Sequence, residues 1–189
     1  SCPMPTVRVC PLADVAARLP ANSSIVRRLA EDPEALGREF ALCVDGDVQL
    51  PWLDLDAPLA TGSPLRALVD GDGLAATPRG RPALVLVEGD LQMDGALTSG
   101  AAEGTEDAAH LIVLGNARVR DAVVGGALLH VQGALEAADL LWGHGRSGSL
   151  VVRGGLTARV AVFTDDYRVD AAGPEQVEFL LDEVRGLPH

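Results

Sequence analysis

From Pro82 onward the chain alternates apolar and polar positions, and the alternation recurs. Gly89, Gly115, Gly133 and Gly154 frame the repeat. Two residues before them stand Val87, Val113, Val131 and Val152; two after stand Leu91, Ala117, Leu135 and Leu156. Four after come Met93, Val119, Ala137 and Ala158, and eight after come Leu97, Val123, Leu141 and Val162. Apolar residues at period two mark β-strands with one buried face, and their recurrence marks stacked copies of one unit. The glycines are 26, 18 and 21 residues apart, so a coil of about 18 residues carries insertions at 98–110 and 142–149. No asparagine ladder follows the leucines, and no aliphatic residue recurs every six positions. Those absences disfavour leucine-rich and hexapeptide repeats. The pattern predicts a mainly β protein, a right-handed parallel β-helix (solenoid).

Two earlier stretches extend the pattern. Val44-Asp45-Gly46-Asp47-Val48-Gln49-Leu50 matches Val87-Glu88-Gly89-Asp90-Leu91-Gln92-Met93 nearly residue for residue. Val69-Asp70-Gly71-Asp72 lies 18 residues before the second of these, although Gly73 fills an inward slot. Upstream, Leu12, Val15, Ala16 and Leu19 share a helical face that Pro20 ends. Asn22, Ser23 and Ser24 offer N-caps for a helix through Ile25–Ala30, and Pro33 opens a short helix reaching Arg38. Near the C-terminus Val177, Leu180, Leu181 and Val184 fall at helical spacing. The expected organisation is a helical cap at 1–43, the parallel β-helix at 44–173 (clearest over 80–173), and a C-terminal helical cap at 174–189. Caps suit a β-stack because its end strands leave backbone groups unpaired.

The register carries its own check. Outward positions place Arg118 opposite Glu136 and Arg120 opposite Asp94 on adjacent coils. A one-residue slip would turn those charges inward.

Composition narrows the function. A 48% hydrophobic content excludes disorder despite a net charge of −12. The basic residues are all arginine, and the acidic balance disfavours nucleic acid while favouring a basic protein partner. No apolar run is long enough to span a membrane. Cys2, Cys10 and Cys43 are too few and odd for a secreted scaffold, which points to a reduced, cytoplasmic protein; a Cys2–Cys10 bridge is the open alternative.

The runs Leu-Val-Leu-Val-Glu-Gly-Asp-Leu at 84–91, Leu-Ile-Val-Leu-Gly-Asn-Ala-Arg-Val-Arg at 111–120 and Ser-Leu-Val-Val-Arg-Gly-Gly-Leu-Thr-Ala-Arg at 149–159 resemble bacterial polymer-forming β-helix proteins, of which bactofilins are members. Trp142-Gly143-His144 and Asp165-Asp166-Tyr167 are similar to a tryptophan turn and a terminal Asp-Asp-Tyr in small relatives found beside polymorphic toxin genes. In those relatives the histidine stands one residue further from the glycine. Over residues 80–173 the resemblance implies the β-helix fold and an immunity-type role, neutralising a cognate toxin.

Catalytic chemistry is harder to find. His110, His130, His144 and His189 are scattered and read as solvated; no set converges as a metal site requires, so no cofactor is expected. Asp165-Asp166 reads as a solvated turn rather than an acid/base pair. The glycine pairs have no phosphate-loop context, and no nucleophile elbow is present. The expected function is therefore a non-catalytic, protein-binding antagonist, with a structural protein polymerising through its coil ends as the alternative. Candidate partner-binding residues are the acidic insertion Glu103, Glu106 and Asp107, with Trp142, His144, Asp165, Asp166 and Tyr167. Trp142 reads either as a lid on the core beside Leu141 or as an exposed anchor.

Overall fold

The computed structural model describes residues 4–34, 39–78, 81–100 and 108–183. The chain opens with β1 (Val7–Pro11), α1 (Leu12–Val15), a short 3-10 turn (Ala16–Arg18) and α2 (Ser24–Glu31). A first pass then runs through β2 (Phe40–Val44), β3 (Val48–Leu50) and β4 (Leu53–Asp54), followed by α3 (Pro64–Ala67) and α4 (Gly71–Ala76). The second pass is β5 (Leu84–Val87), β6 (Leu91–Met93) and β7 (Ala96–Thr98). Four more follow: β8 (His110–Val113) with β9 (Ala117–Gly125), β10 (Leu128–Val131) with β11 (Leu135–His144), β12 (Ser149–Val152) with β13 (Leu156–Thr164), and β14 (Arg168–Ala171) with β15 (Glu175–Asp182).

The protein is mainly β, with two sheets whose strands are parallel apart from β1. One sheet has the order β1-β2-β5-β8-β10-β12-β14; the other runs β15-β13-β11-β9-β6-β3, with β4 paired to β7 and β7 to β9. Each pass adds to both sheets, and a continuous apolar core fills the space between them. Within that core Val87, Val113, Val131 and Val152 lie in one row, as their common distance from the glycines requires.

The glycines form the corner between the sheets. The Gly89 N–H donates to Gly46 O at 3.0 Å, Gly115 to Gly89 at 3.1 Å, Gly133 to Gly115 at 2.9 Å and Gly154 to Gly133 at 2.8 Å. Beside this ladder Asp47 accepts from the Asp90 N–H at 2.7 Å, Asp90 from Asn116 at 2.8 Å, and Asn116 from Ala134 at 2.9 Å. A Cβ on Gly115 or Gly133 would stand 2.6 Å from the carbonyl oxygen of the glycine one pass earlier. Glycine is thus required by close approach, and Gly46 belongs to the same column.

The second sheet bends midway along each long strand. Arg159 and Val160 both face outward in succession between inward Ala158 and Ala161, and in β11 three residues, Ala138, Asp139 and Leu140, stand outward between inward Ala137 and Leu141. At this bend β11 carries one more residue than β9, shifting the register between Ala137 and Leu140. The shift splits the column eight residues after each glycine: Leu97 and Leu141 point inward beside Ala122 and Ala161, while Val123 and Val162 face out. Before the bend the register holds, and Arg118 pairs Glu136 at 3.7 Å. Arg120 takes Asp139 at 3.5 Å instead of Asp94, because the extra residue brings that carboxylate to it.

Both expected caps are corrected. Residues 175–182 form strand β15, not a helix, with Val177 opposite Ala158 and Leu180 opposite Ala161. A strand crossing the bend has two outward residues in a row, so its inward residues fall three apart and imitate helical spacing. Val184 lies outside the described residues. The segment 1–43 includes β1 and most of β2, and its helices lie on the outer face of the first sheet rather than across an end. Leu12, Val15, Leu19 and Ile25 pack there on Ala41, Cys43, Leu84, Leu86, Ile112 and Leu128. Ser23 caps α2 by accepting from the Val26 N–H at 3.3 Å; the expected helix from Pro33 falls partly outside the described residues. Val69–Asp72 is no strand repeat: Asp70 accepts from the Gly73 N–H and starts α4. Leu65, Leu68, Val69 and Leu74 of this region join the main core together with Val7.

Histidine is also corrected. His130 is 1% exposed, on the outer face of the first sheet between Ile112 and Val151. His110 is largely buried and accepts the Leu128 N–H on Nδ1 at 2.9 Å. Cys10 is a free thiol beside Cys43, which burial and that neighbour push up to about 12. Cys2 lies outside the described residues.

Gly133→Ala should destabilise the fold by about 1–3 kcal/mol, since the neighbouring backbone has to move, whereas Asp90→Ala should cost about 1 kcal/mol for one lost hydrogen bond. Denaturant unfolding of both variants measures the difference.

Burial, with a contribution from Arg28, lowers the His110 pKa to about 4 from its ordinary 6.5. The neutral imidazole favours the folded state, so its contribution is complete above pH 6.5 and drains away as pH falls towards 4. Thermal midpoints should decline by several degrees across that window, and His110→Gln should flatten the decline.

Candidate functional site

The molecule presents three kinds of outer surface. The first sheet is covered by α1 and α2, at least as far as β10. The first half of the second sheet carries charged pairs, Arg118 with Glu136 and Arg120 with Asp139. Beyond the bend the outward columns are apolar and uncovered by any described residue. One column runs Asp121, Leu140, Val160, Phe179; the next runs Val123, Trp142, Val162, Leu181. Phe179 is 60% exposed and Trp142 40%, and the aliphatic members are half-buried. Parallel sheets normally have both faces covered, so a row of seven bare apolar side chains is a candidate binding face.

Trp142 is held in place before anything binds. Its Nε1–H donates to Thr164 Oγ1 at 3.1 Å, and its ring sits 5.6 Å from that of His144. Gly125 makes room for the histidine: a Cβ there would stand 2.6 Å from His144 Cε1. The structure places Trp142 as an exposed residue, not a lid on the core. Leu141 turns inward, so its successor on the strand must turn out.

Asp165 and Asp166 rim this face. Their φ angles, 57° and 61°, are both left-handed, and the Tyr167 N–H closes the turn on Thr164 O at 3.1 Å. Aspartate is among the non-glycine residues that best tolerate this conformation. Asp166 pairs Arg146 at 2.9 Å, and Glu183 Oε2 accepts the Asp165 N–H at 2.9 Å. The pair is a solvated turn of the kind the sequence implies.

Tyr167 is not a contact residue. It is 3% exposed, stacks on Phe163 with ring centroids 6.1 Å apart, and fills the space left by Gly143 and Gly148. Among the described residues its hydroxyl has no hydrogen-bond partner, and burial pushes the phenol far above its ordinary value. The turn residues ahead of it supply the polar surface, and the aromatic ring closes the core behind them. Glu103, Glu106 and Asp107 lie outside the described residues. Among the described residues no three His, Cys, Asp or Glu side chains gather as a metal site would need. A groove of about 730 Å³ beside α2 and β14 has Arg27, Asp166, Arg168 and Asp170 in its lining, a mixture of signs that selects no ligand class.

Leu140, Val160, Phe179 and Leu181 were not legible as surface residues. The extra residue in β11 hid the outward columns, and the helical spacing at 177–184 hid β15. The chain matches no protein-family model, no curated protein and no solved structure.

Tyr167→Phe should leave stability unchanged or raise it slightly, because it removes a buried unpaired hydroxyl, while Tyr167→Ala should cost about 3–5 kcal/mol. Equal, large losses in both variants by thermal unfolding would show that the hydroxyl has a partner.

Proposed function

We propose that this chain is a non-catalytic protein-binding antagonist, built as a right-handed parallel β-helix, that docks its partner on the bare face around Trp142. The observation carrying this reading is the face itself: seven outward apolar side chains in two columns, with a tryptophan already immobilised. A preordered aromatic on a rigid sheet loses little side-chain freedom on binding, which is where interfaces gain affinity. The acidic rim of Asp121, Asp165 and Asp166, with the net charge of −12, favours a basic partner and speeds its approach.

The immunity role, with a cognate toxin as partner and the cytoplasm as its compartment, comes from the resemblance. It gains support from one structural point: the two motifs that carry the resemblance meet, since Gly143 of the first packs on Tyr167 of the second. No helix among the described residues is long and apolar enough to cross a membrane. The polymerising alternative needs two matching open ends. It is opposed by β1, which runs antiparallel along β2, and by α3 and α4 at the same end.

Pull-down from the native host tests the reading, with Trp142→Ala and Phe179→Asp compared against the unaltered chain. Both variants should keep their unfolding free energies within about 0.5 kcal/mol and weaken capture of a stoichiometric protein by about 2 kcal/mol or more, roughly thirtyfold. That protein should be toxic when expressed alone and harmless when co-expressed with the unaltered chain. Capture that survives both substitutions would refute the face; a captured protein without toxicity would refute the immunity role.

A further inference from the structure

The last pass differs from every earlier one. Leu150, Ala158 and Ala161 are sealed in the core, yet their counterparts one pass later, Val169, Val177 and Leu180, are only half-buried. Strand β15 pairs with β13 on one side, and among the described residues nothing pairs with its other edge. An open parallel edge offers a row of backbone donors and acceptors together with half-covered apolar side chains, the two things an added strand uses.

Charge decides what fits. Strand β15 reads Glu-Gln-Val-Glu-Phe-Leu-Leu-Asp and is followed by Glu183; Asp182 is buried, so its exposed charges are Glu175 and Glu178, with Glu183 just beyond and no basic residue in the strand. A second copy pairing edge to edge would set acidic strand against acidic strand, which costs free energy. Arg159 on the neighbouring strand offsets little: it meets Glu178 only at 4.0 Å with both side chains mostly exposed.

Resting on the protein-binding reading, we propose that the free edge of β15 accepts an extended, basic segment of the partner as an added strand. Such a segment would set apolar side chains beside Val177 and Leu180, continuing the core, and lysine or arginine beside Glu175 and Glu178. Because β15 also carries Phe179 and Leu181, the added strand would border the bare face, and one partner could engage both.

A synthetic eight-residue peptide alternating valine and lysine, blocked at both ends, is a direct probe. Titrated into the full chain at low salt, it should bind saturably and slow amide exchange along β15. N-methylation of alternate peptide amides should abolish binding, because it removes the ladder while keeping the charge. Glu175→Arg with Glu178→Arg, both at exposed positions, should weaken it about tenfold or more, whereas Trp52→Ala, at an exposed indole of the first pass, should leave it unchanged. No saturable binding up to about 1 mM, equal binding of the N-methylated peptide, or protection elsewhere than β15 would overturn the proposal. So would a chain that dimerises by itself through this edge, or one that binds only after residues 184–189 are removed, since each assigns the edge to another occupant. Trp142-dependent capture of the native partner is a separate readout, so this proposal can fail while the bare-face reading stands.

Discussion

Everything in this fold depends on how closely one pass of the chain approaches the next at the glycine corner. The column from Gly46 to Gly154 brings successive backbones into hydrogen-bond contact, and the Asp47–Asp90–Asn116 side chains fasten the following residue of each pass to the one before. Adjacent strands in any sheet stand about 4.8 Å apart, so a side chain at the corner would force the passes apart along their whole length. With the corner fixed, the valine row, the inward columns before the bend and the Arg118–Glu136 pair follow from period-two alternation.

That constraint explains what was readable beforehand. The glycine frame and the match of 44–50 to 87–93 located eight of the strand pairings, and the outward pair Arg118–Glu136 was reached through glycines and apolar positions alone. Reading failed where the chain turns a bend. Two consecutive outward residues place inward residues three apart, which a linear pattern cannot tell from a helix, and one extra residue at Ala138–Asp139 turned Leu141 inward where Val123 and Val162, on strands without it, face out. Sheet coverage was written more openly than it was read. Phe40–Val44 and Leu84–Val87 are unbroken apolar runs because helices cover them, while β14, Arg168-Val169-Asp170-Ala171, alternates.

For the candidate site, residue type was informative and geometry was not. Trp142, His144 and Asp165-Asp166 do share one corner, but Tyr167 serves the core, and its neighbours on the surface are aliphatic residues from other passes. An interface on a stacked sheet is spread over passes some 20 residues apart in sequence, so no local motif describes it. Its parts become neighbours through the register, and the register is a property of the glycine corner.

The account stands or falls on whether the bare face is where the partner sits. Oxidative footprinting of the chain with and without its native partner measures this on internal controls, since Trp52 is 41% exposed and Trp142 40%. Both indoles should react in the free chain. In the complex Trp142 and Phe179 should become protected while Trp52 keeps its reactivity. Protection of Trp52 with Trp142 and Phe179 still reactive would contradict the account and move the interface to another surface.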